Sequence, residues 1–295
     1  MIEEILPPGV RSAEAFDDLA PAPLFPEEAA LMAGRRRRRR AQFATARACA
    51  RRALAELGLA PAPLLPGAGG APRWPEGVVG SITHCDGYRA AVAARAADVA
   101  ALGIDAEPAG PLPRGVLGLI ASTTERAALD RLAAERPEVC WDRLLFSAKE
   151  AVYKAWFPAT ERWLGFAEAE VRLTPAGTFT ATLDPSAPPP RGATLRFAGR
   201  WLVREDLVVT SAVECVVRHG RRGCGCPSPG SESVCGLSPG GAPGPGPAVR
   251  DRGPATASPA HLTDPEPPSA SAPPPAPPAP LRPAGTPPDS PPAPV

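Results

Sequence analysis

The sequence predicts an α+β fold of two similar halves, each a helix packed on a small antiparallel sheet, followed by a proline-rich tail that builds no core. Three observations predict it. Helical and strand-like apolar patterns alternate through the first 217 residues, and an Asp86-Gly87 dipeptide, favoured in tight hairpins, joins two of the strand-like runs. Beyond residue 220 the chain holds 23 of its 43 prolines and no aromatic residue. Such a composition buries too little apolar surface to offset the entropy of ordering it. The expected division is an N-terminal half over residues 1 to 107, a C-terminal half over 108 to 217 and a disordered tail over 218 to 295.

The elements follow in order. From Glu27 to Leu57 a long helical pattern carries Phe43, Ala46, Ala50, Leu54 and Leu57 on one apolar seam at spacings of three and four. PAPLLPGAGGAPRWPEG breaks it with proline and glycine. The runs GVVGSITH and YRAAVAAR flank the Asp86-Gly87 turn, and a third strand-like run, DVAALGIDAE, ends at Pro108. Helical pattern returns from Ser122 to Arg136 and from Trp141 to Trp156. Strand-like stretches then follow at EAEVRL, TFTATL, ATLRFAGRWLV and LVVTSAVECVV. A helix followed by strands occurs twice, which is the basis for two halves.

Composition narrows the class of molecule. Net charge is +1, so bulk electrostatics select no partner. The start, MIEEILPPGV, carries acids where a secretory signal carries bases, and no run of eighteen apolar residues occurs, so a cytoplasmic protein with no membrane partner is expected. Seven widely spread cysteines argue for reduced thiols. His219, Cys224, Cys226 and Cys235 match no familiar zinc-ligand spacing and read as tail residues.

Chemistry begins at GIDAEP. On a strand Asp105 and Glu107 share one face, about 7 Å apart, while Ile104 and Ala106 take the other. Two carboxylates so placed suit half of a hard-cation site, or simply an exposed strand end. Downstream, FSAKEAVYKAWF contains Lys149 and Lys154, the only lysines among 32 basic residues. On a helix Glu150 and Lys154 lie one turn apart, with Lys149 beside them. Their plain reading is a surface ion pair, with Ser147 and Glu150 as a capping box. Upstream, Arg35 to Arg40 run into a helix whose Arg36, Arg40, Arg47 and Arg51 form a stripe, with Arg39 close by. Arginine there suits bidentate phosphate contact, a solvated face or a nucleic-acid patch. Aromatic interleaving there is poor, with only Phe43, which weakens the nucleic-acid alternative without closing it. His84 precedes the Asp86-Gly87 turn, where it can donate to a phosphate or stand as an ordinary surface residue.

Together the segments RRAQFATARACAR, GAPRWPEGVVGSITHCDGY, GIDAEP and WDRLLFSAKEAVYKAWFP resemble, in this order, the 4'-phosphopantetheinyl transferases of the enterobactin synthase component D (Sfp-like) type. The resemblance spans about residues 25 to 217. It implies two similar α+β halves with coenzyme A in the cleft between them, and transfer of its phosphopantetheine arm to a serine of an apo acyl or peptidyl carrier protein, leaving adenosine 3',5'-bisphosphate. By motif it assigns Asp105, Glu107 and Glu150 to Mg2+, Lys149 and Lys154 to the coenzyme diphosphate, and Arg39, Arg47, Thr83 and His84 to the adenosine phosphates, with Arg51 a further candidate. Glu150 and Lys154 would be catalytic, Glu150 as base and Lys154 as charge stabiliser. Two halves within one chain make a monomer natural. Relatives often carry lysines where this chain has LLPGAGGAP, and the tail lies outside the family pattern.

Overall fold

The computed structural model describes residues 1 to 20, 22 to 186 and 193 to 215. The tail, with the expected boundary at 217 and the cysteines at 224, 226 and 235, lies outside them. Eight strands form two antiparallel sheets. The smaller holds β1 (Arg11–Ala15), β2 (Val78–Cys85) and β3 (Tyr88–Arg95) in the order β1-β3-β2. The larger holds β4 (Val99–Pro108), β5 (Ala169–Leu173), β6 (Thr178–Leu183), β7 (Arg196–Arg204) and β8 (Leu207–Cys215) in the order β4-β8-β7-β6-β5. The expected division at residue 107 leaves β4 in the N-terminal half, yet its ladder is with β8, Asp105 opposite Thr210.

The long helical pattern from Glu27 is two helices. α1 (Pro26–Leu31) stops before Gly34, whose φ of +72° suits glycine, and α2 (Arg37–Glu56) begins within the arginine run. Between Met32 and Phe43 the only apolar residues are Ala33 and Ala41, neither in the core, so the turn there costs no core contact. α2 lays Cys49, Ala50, Ala53 and Leu54 against Ala13 of β1 and Ala91 and Ala93 of β3, mostly small side chains that let helix and sheet approach closely. The five-residue β1 has too short a pattern to read from sequence.

After α3 (Val116–Ile120), α4 (Thr123–Glu135) and α5 (Trp141–Thr160) build the second half. Trp141, Leu144, Leu145, Ala148, Val152 and Trp156 of α5 pack on the larger sheet. Contact with β4 is closest at Gly103, where an added Cβ would lie 1.9 Å from the Ala151 carbonyl oxygen. Any side chain there forces helix and strand apart. Ile104 and Ala106, on the other face of β4, share a core with Tyr88, Ala90 and Val92 of β3, so the halves are joined by one apolar layer.

A residue-level repeat links the halves. Glu28 in α1 is fully buried; it accepts from the backbone N–H of Phe25 (3.1 Å), from Arg51 of α2 (3.0 Å) and from the N–H of Leu64 (2.9 Å). Glu125 in α4 is 2% exposed; it accepts from the N–H of Ser122 (2.8 Å), from Lys149 of α5 (2.9 Å) and from the N–H of Val171 (2.8 Å). Each carboxylate thus caps a helix N-terminus, pairs with a cation on the long helix and holds the extended chain that follows.

The repeat corrects the expectation for Lys149. Its ammonium is buried and also donates to the carbonyls of Ile120 (2.7 Å) and Phe166 (2.9 Å), so all three N–H groups are used away from Asp105. Arg51 is likewise taken up by Glu28 and the carbonyl of Pro23. Nor do Ser147 and Glu150 cap a helix: Ser147 lies inside α5, within hydrogen-bond distance of Thr210. The capping box is at Ser122 and Glu125.

Lys149→Met strands a buried carboxylate and is expected to lower unfolding stability by about 3–5 kcal/mol, read by urea denaturation. A loss below about 1 kcal/mol, the range of an exposed pair, would show that Lys149 is free for another partner.

Candidate active site

The free edge of β4 faces β2, and no backbone ladder joins them. Side-chain hydroxyls take its place. Ser81 accepts from the N–H of Ile104 (3.1 Å) and Thr83 from the N–H of Ala106 (3.0 Å), which satisfies two buried donors of the edge. Thr83 in turn donates to Asp105 Oδ1 (3.4 Å). Thr83, expected at a phosphate, is 2% exposed, and its hydroxyl is engaged with the Ala106 N–H and Asp105.

Asp105 is the centre of the seam. Lys154 Nζ, reaching across from α5, donates to its Oδ1 at 2.7 Å, while its Oδ2 is buried without any hydrogen-bond partner. The plain i,i+4 pair of Glu150 with Lys154 therefore does not form; the lysine pairs with the strand. Glu107 Oε2 accepts from Arg143 of α5 at 3.0 Å. Burial and the charge of Asp105 push the carboxyl of Glu150 up to about 7 against the pull of Lys154. The same two causes push Glu107 up to about 7 against Arg143 and Lys154. Burial draws the Lys154 ammonium down, but Asp105, Glu150 and Glu107 together hold it above its ordinary value. Nearby Cys85 is raised to about 12 by burial, Glu107 and Asp105, which keeps it a neutral thiol.

Among the described residues no three acidic, histidine or cysteine side chains are gathered closely enough to hold a metal by themselves. Asp105 is turned to Lys154 and Glu107 to Arg143. Arg143, which sequence reasoning missed, lies on the stripe of α5 that carries Glu150 and Lys154, seven and eleven residues before them. That spacing was its signal.

A cationic corner adjoins the carboxylates. Arg39 Nη1 lies 2.6 Å from His84 Nε2, so the arginine donates to a neutral ring. Enclosure by the protein, then Arg39, Lys154 and Arg89, lowers His84 to about 4. Arg47 is 7% exposed, donates through Nε to the carbonyl of Leu64 (2.9 Å) and stacks over Phe43 at 4.4 Å. Burial lowers its proton affinity, Glu28 opposing and Arg51 and Arg39 adding to the effect. A cavity of about 240 Å³ opens beside Lys154, lined by Gly69, Trp74, Ile82, Tyr153 and Phe157. The seam thus sets acceptors, cations and an apolar cavity side by side, an arrangement able to hold a phosphorylated ligand with an organic arm.

Comparison with known proteins identifies the family. Residues 27–94 match the 4'-phosphopantetheinyl transferase N-terminal domain, and residues 101–205 match the 4'-phosphopantetheinyl transferase superfamily. The 4'-phosphopantetheinyl transferase Svp of Streptomyces mobaraensis is 56% identical over 216 residues, 72% of this chain and 88% of that protein. The 4'-phosphopantetheinyl transferases PptT of Mycobacterium tuberculosis and Npt of Nocardia iowensis are each 45% identical over 72% of this chain, covering 97% and 98% of their own lengths. Two matched domains meeting at the β2–β4 seam, and relatives covered almost end to end, show that the chain belongs to the 4'-phosphopantetheinyl transferase superfamily.

Proposed function

We propose that the seam is where coenzyme A, Mg2+ and the carrier serine meet, and that the residues of β2, β4, α2 and α5 divide the work among them. The protein is an enzyme that transfers the phosphopantetheine arm of coenzyme A to carrier proteins. The observation that carries the site reading is Asp105 Oδ2, a buried acceptor with no donor. Magnesium commonly takes one or two carboxylates and completes its shell with water and phosphate oxygens, so an open set of acids fits it better than a closed cage. Asp105, Glu107 and Glu150 would hold the ion. When bound it supplies neutralising charge at the diphosphate.

Lys154 is a compact point charge at the point where the diphosphate would lie, and it stabilises negative charge as the serine oxygen attacks phosphorus. Glu150, on the same face of α5, accepts the serine proton. Arg39 and His84 receive the phosphates of the adenosine end, with Arg47 behind them. An anion set against His84 opposes the cationic part of what lowers it, Arg39 and Lys154, and so favours the protonated ring with its second donor. Lys149 and Thr83 serve as supports: one anchors α5, the other aims Asp105. The cavity beside Tyr153 and Phe157 takes apolar parts of the coenzyme. With two halves in one chain the enzyme works as a cytoplasmic monomer.

Incubating an apo carrier protein with this protein, coenzyme A and Mg2+ is expected to add one phosphopantetheine, about 340 Da by formula, to its intact mass. Chelation by EDTA should abolish the gain and excess Mg2+ restore it; a gain that survives chelation would remove the metal from the site. Lys154→Arg keeps the ion pair with Asp105, so its melting temperature should stay near that of the wild type while single-turnover transfer falls about tenfold to a hundredfold, the planar head missing the point a lysine occupies. Undiminished transfer would leave Lys154 a structural partner of Asp105 alone. Arg39→Ala should weaken coenzyme A by a factor of about ten or more through loss of a charge-assisted contact, yet weaken dephospho-coenzyme A less. Calorimetric titrations showing equal losses would move the 3'-phosphate elsewhere.

A further inference from the structure

Arg143 is not among the residues assigned a role above, and its surroundings leave it little freedom. Its guanidinium side chain is 17% exposed and all three nitrogens are engaged: Nη1 with Glu107 Oε2 (3.0 Å), Nε with the carbonyl of Gly110 (3.0 Å) and Nη2 with the carbonyl of Pro111 (2.9 Å). The preceding residue completes the grip, Asp142 Oδ2 accepting from the N–H of Leu112 at 2.8 Å. The start of α5 therefore holds the four residues that leave β4, and it does so through a planar group whose two backbone bonds fix its plane.

The consequence falls on Glu107. A carboxylate at the end of a strand has free torsions, and burial alone does not choose among them. Here one oxygen is tied to a donor that cannot follow it, and among the described residues no hydrogen bond reaches the other, Oε1. Asp105, two residues earlier on the same face, is likewise tied at Oδ1 and open at Oδ2. We propose that Arg143 is a positioning residue that fixes the rotamer of Glu107, so that Glu107 Oε1 and Asp105 Oδ2 are the two oxygens that β4 offers to a divalent cation. This rests on the reading of Asp105, Glu107 and Glu150 as ligands. Arg143 touches neither coenzyme nor reacting atoms; it acts by holding a carboxylate, as partners behind a metal ligand commonly do, where their loss typically weakens metal affinity about 10- to 100-fold.

The test is Mn2+ binding to the full chain in the presence of coenzyme A, read as loss of the free Mn2+ electron paramagnetic resonance signal, for the wild type, Arg143→Gln, Arg143→Lys and Glu107→Gln. Arg143→Gln is expected to raise the dissociation constant about 10- to 100-fold, while transfer at saturating metal stays within a few fold of the wild type. Arg143→Lys keeps the charge but not the fork, and should fall between the two. It carries the test alone should Arg143→Gln fail to fold, a result that thermal melting would reveal. Unchanged or tighter Mn2+ binding in a folded Arg143 variant, with binding lost in Glu107→Gln, would overturn this inference and leave the metal reading standing. A wild type that binds no Mn2+ would overturn both.

Discussion

Everything at the centre of this enzyme depends on how the free edge of β4 is satisfied. A strand edge without a partner leaves buried N–H groups, and each unpaired donor costs about 1–3 kcal/mol. A backbone ladder from β2 would have solved this, but it would also have closed the gap between the sheets. Two hydroxyls, Ser81 and Thr83, solve it from the side instead, at 3.1 and 3.0 Å. The strands stay close without merging, and the side chains of Asp105 and Glu107 remain beside a crevice that Lys154 enters from the helix. Gly103 is the complementary constraint: with no Cβ, it lets α5 settle on β4 so that a lysine three turns along the helix from Arg143 meets the strand.

The two lysines of this arginine-rich chain are both sites where three-dimensional fit matters more than charge. Lys149 gives three donors to three acceptors, Glu125 and the carbonyls of Ile120 and Phe166, an arrangement that suits an ammonium and not a planar fork. Its counterpart in the first half, Arg51, divides its planar head, Nη1 donating to both oxygens of Glu28 and Nη2 to the carbonyl of Pro23. The halves thus keep one device, a buried glutamate behind the long helix, and change the cation to match the acceptors. Lys154 differs in kind, since one side of it faces the crevice.

Much of this was legible in the sequence because it rests on period and turn chemistry. The β2–β3 hairpin follows from Asp86-Gly87, with Cys85 opposite Tyr88, and the face shared by Asp105 and Glu107 follows from strand alternation. What the sequence concealed was partnership at long range. Adjacent positions on a helix point about 100° apart, so Lys149 and Glu150, neighbours in the chain, serve different sides of α5. Only the location of Glu125 decides which side is buried. The helix break at Gly34 was hidden because alanine and arginine both favour helix on either side of it. Arg143 was visible as a spacing, yet a spacing does not say that Gly110 and Pro111 stand ready to fix its plane. The repeat of Glu28 and Glu125 was invisible for the same reason: what recurs is a set of contacts, while the residues between them differ.

The charge state of the crevice before any ligand arrives follows from these partnerships. Asp105 is paired with Lys154 and Glu107 with Arg143, while among the described residues Glu150 forms no ion pair, and burial together with Asp105 pushes it up to about 7 against the pull of Lys154. One carboxylate is in excess, beside a corner where Arg39 and His84 have cations in excess and the ring is held neutral. Neither imbalance is relieved by the protein itself. On the proposed site a divalent cation would answer the first and a phosphate the second, and a diphosphate coenzyme with its metal would carry both at once. The fold therefore sets opposite imbalances near one another, one at Glu150 of α5 and one at Arg39 of α2 with His84 of β2. On that proposal, binding the complete ligand would cost less than binding either part, because each charge it brings would meet a partner already fixed by the seam.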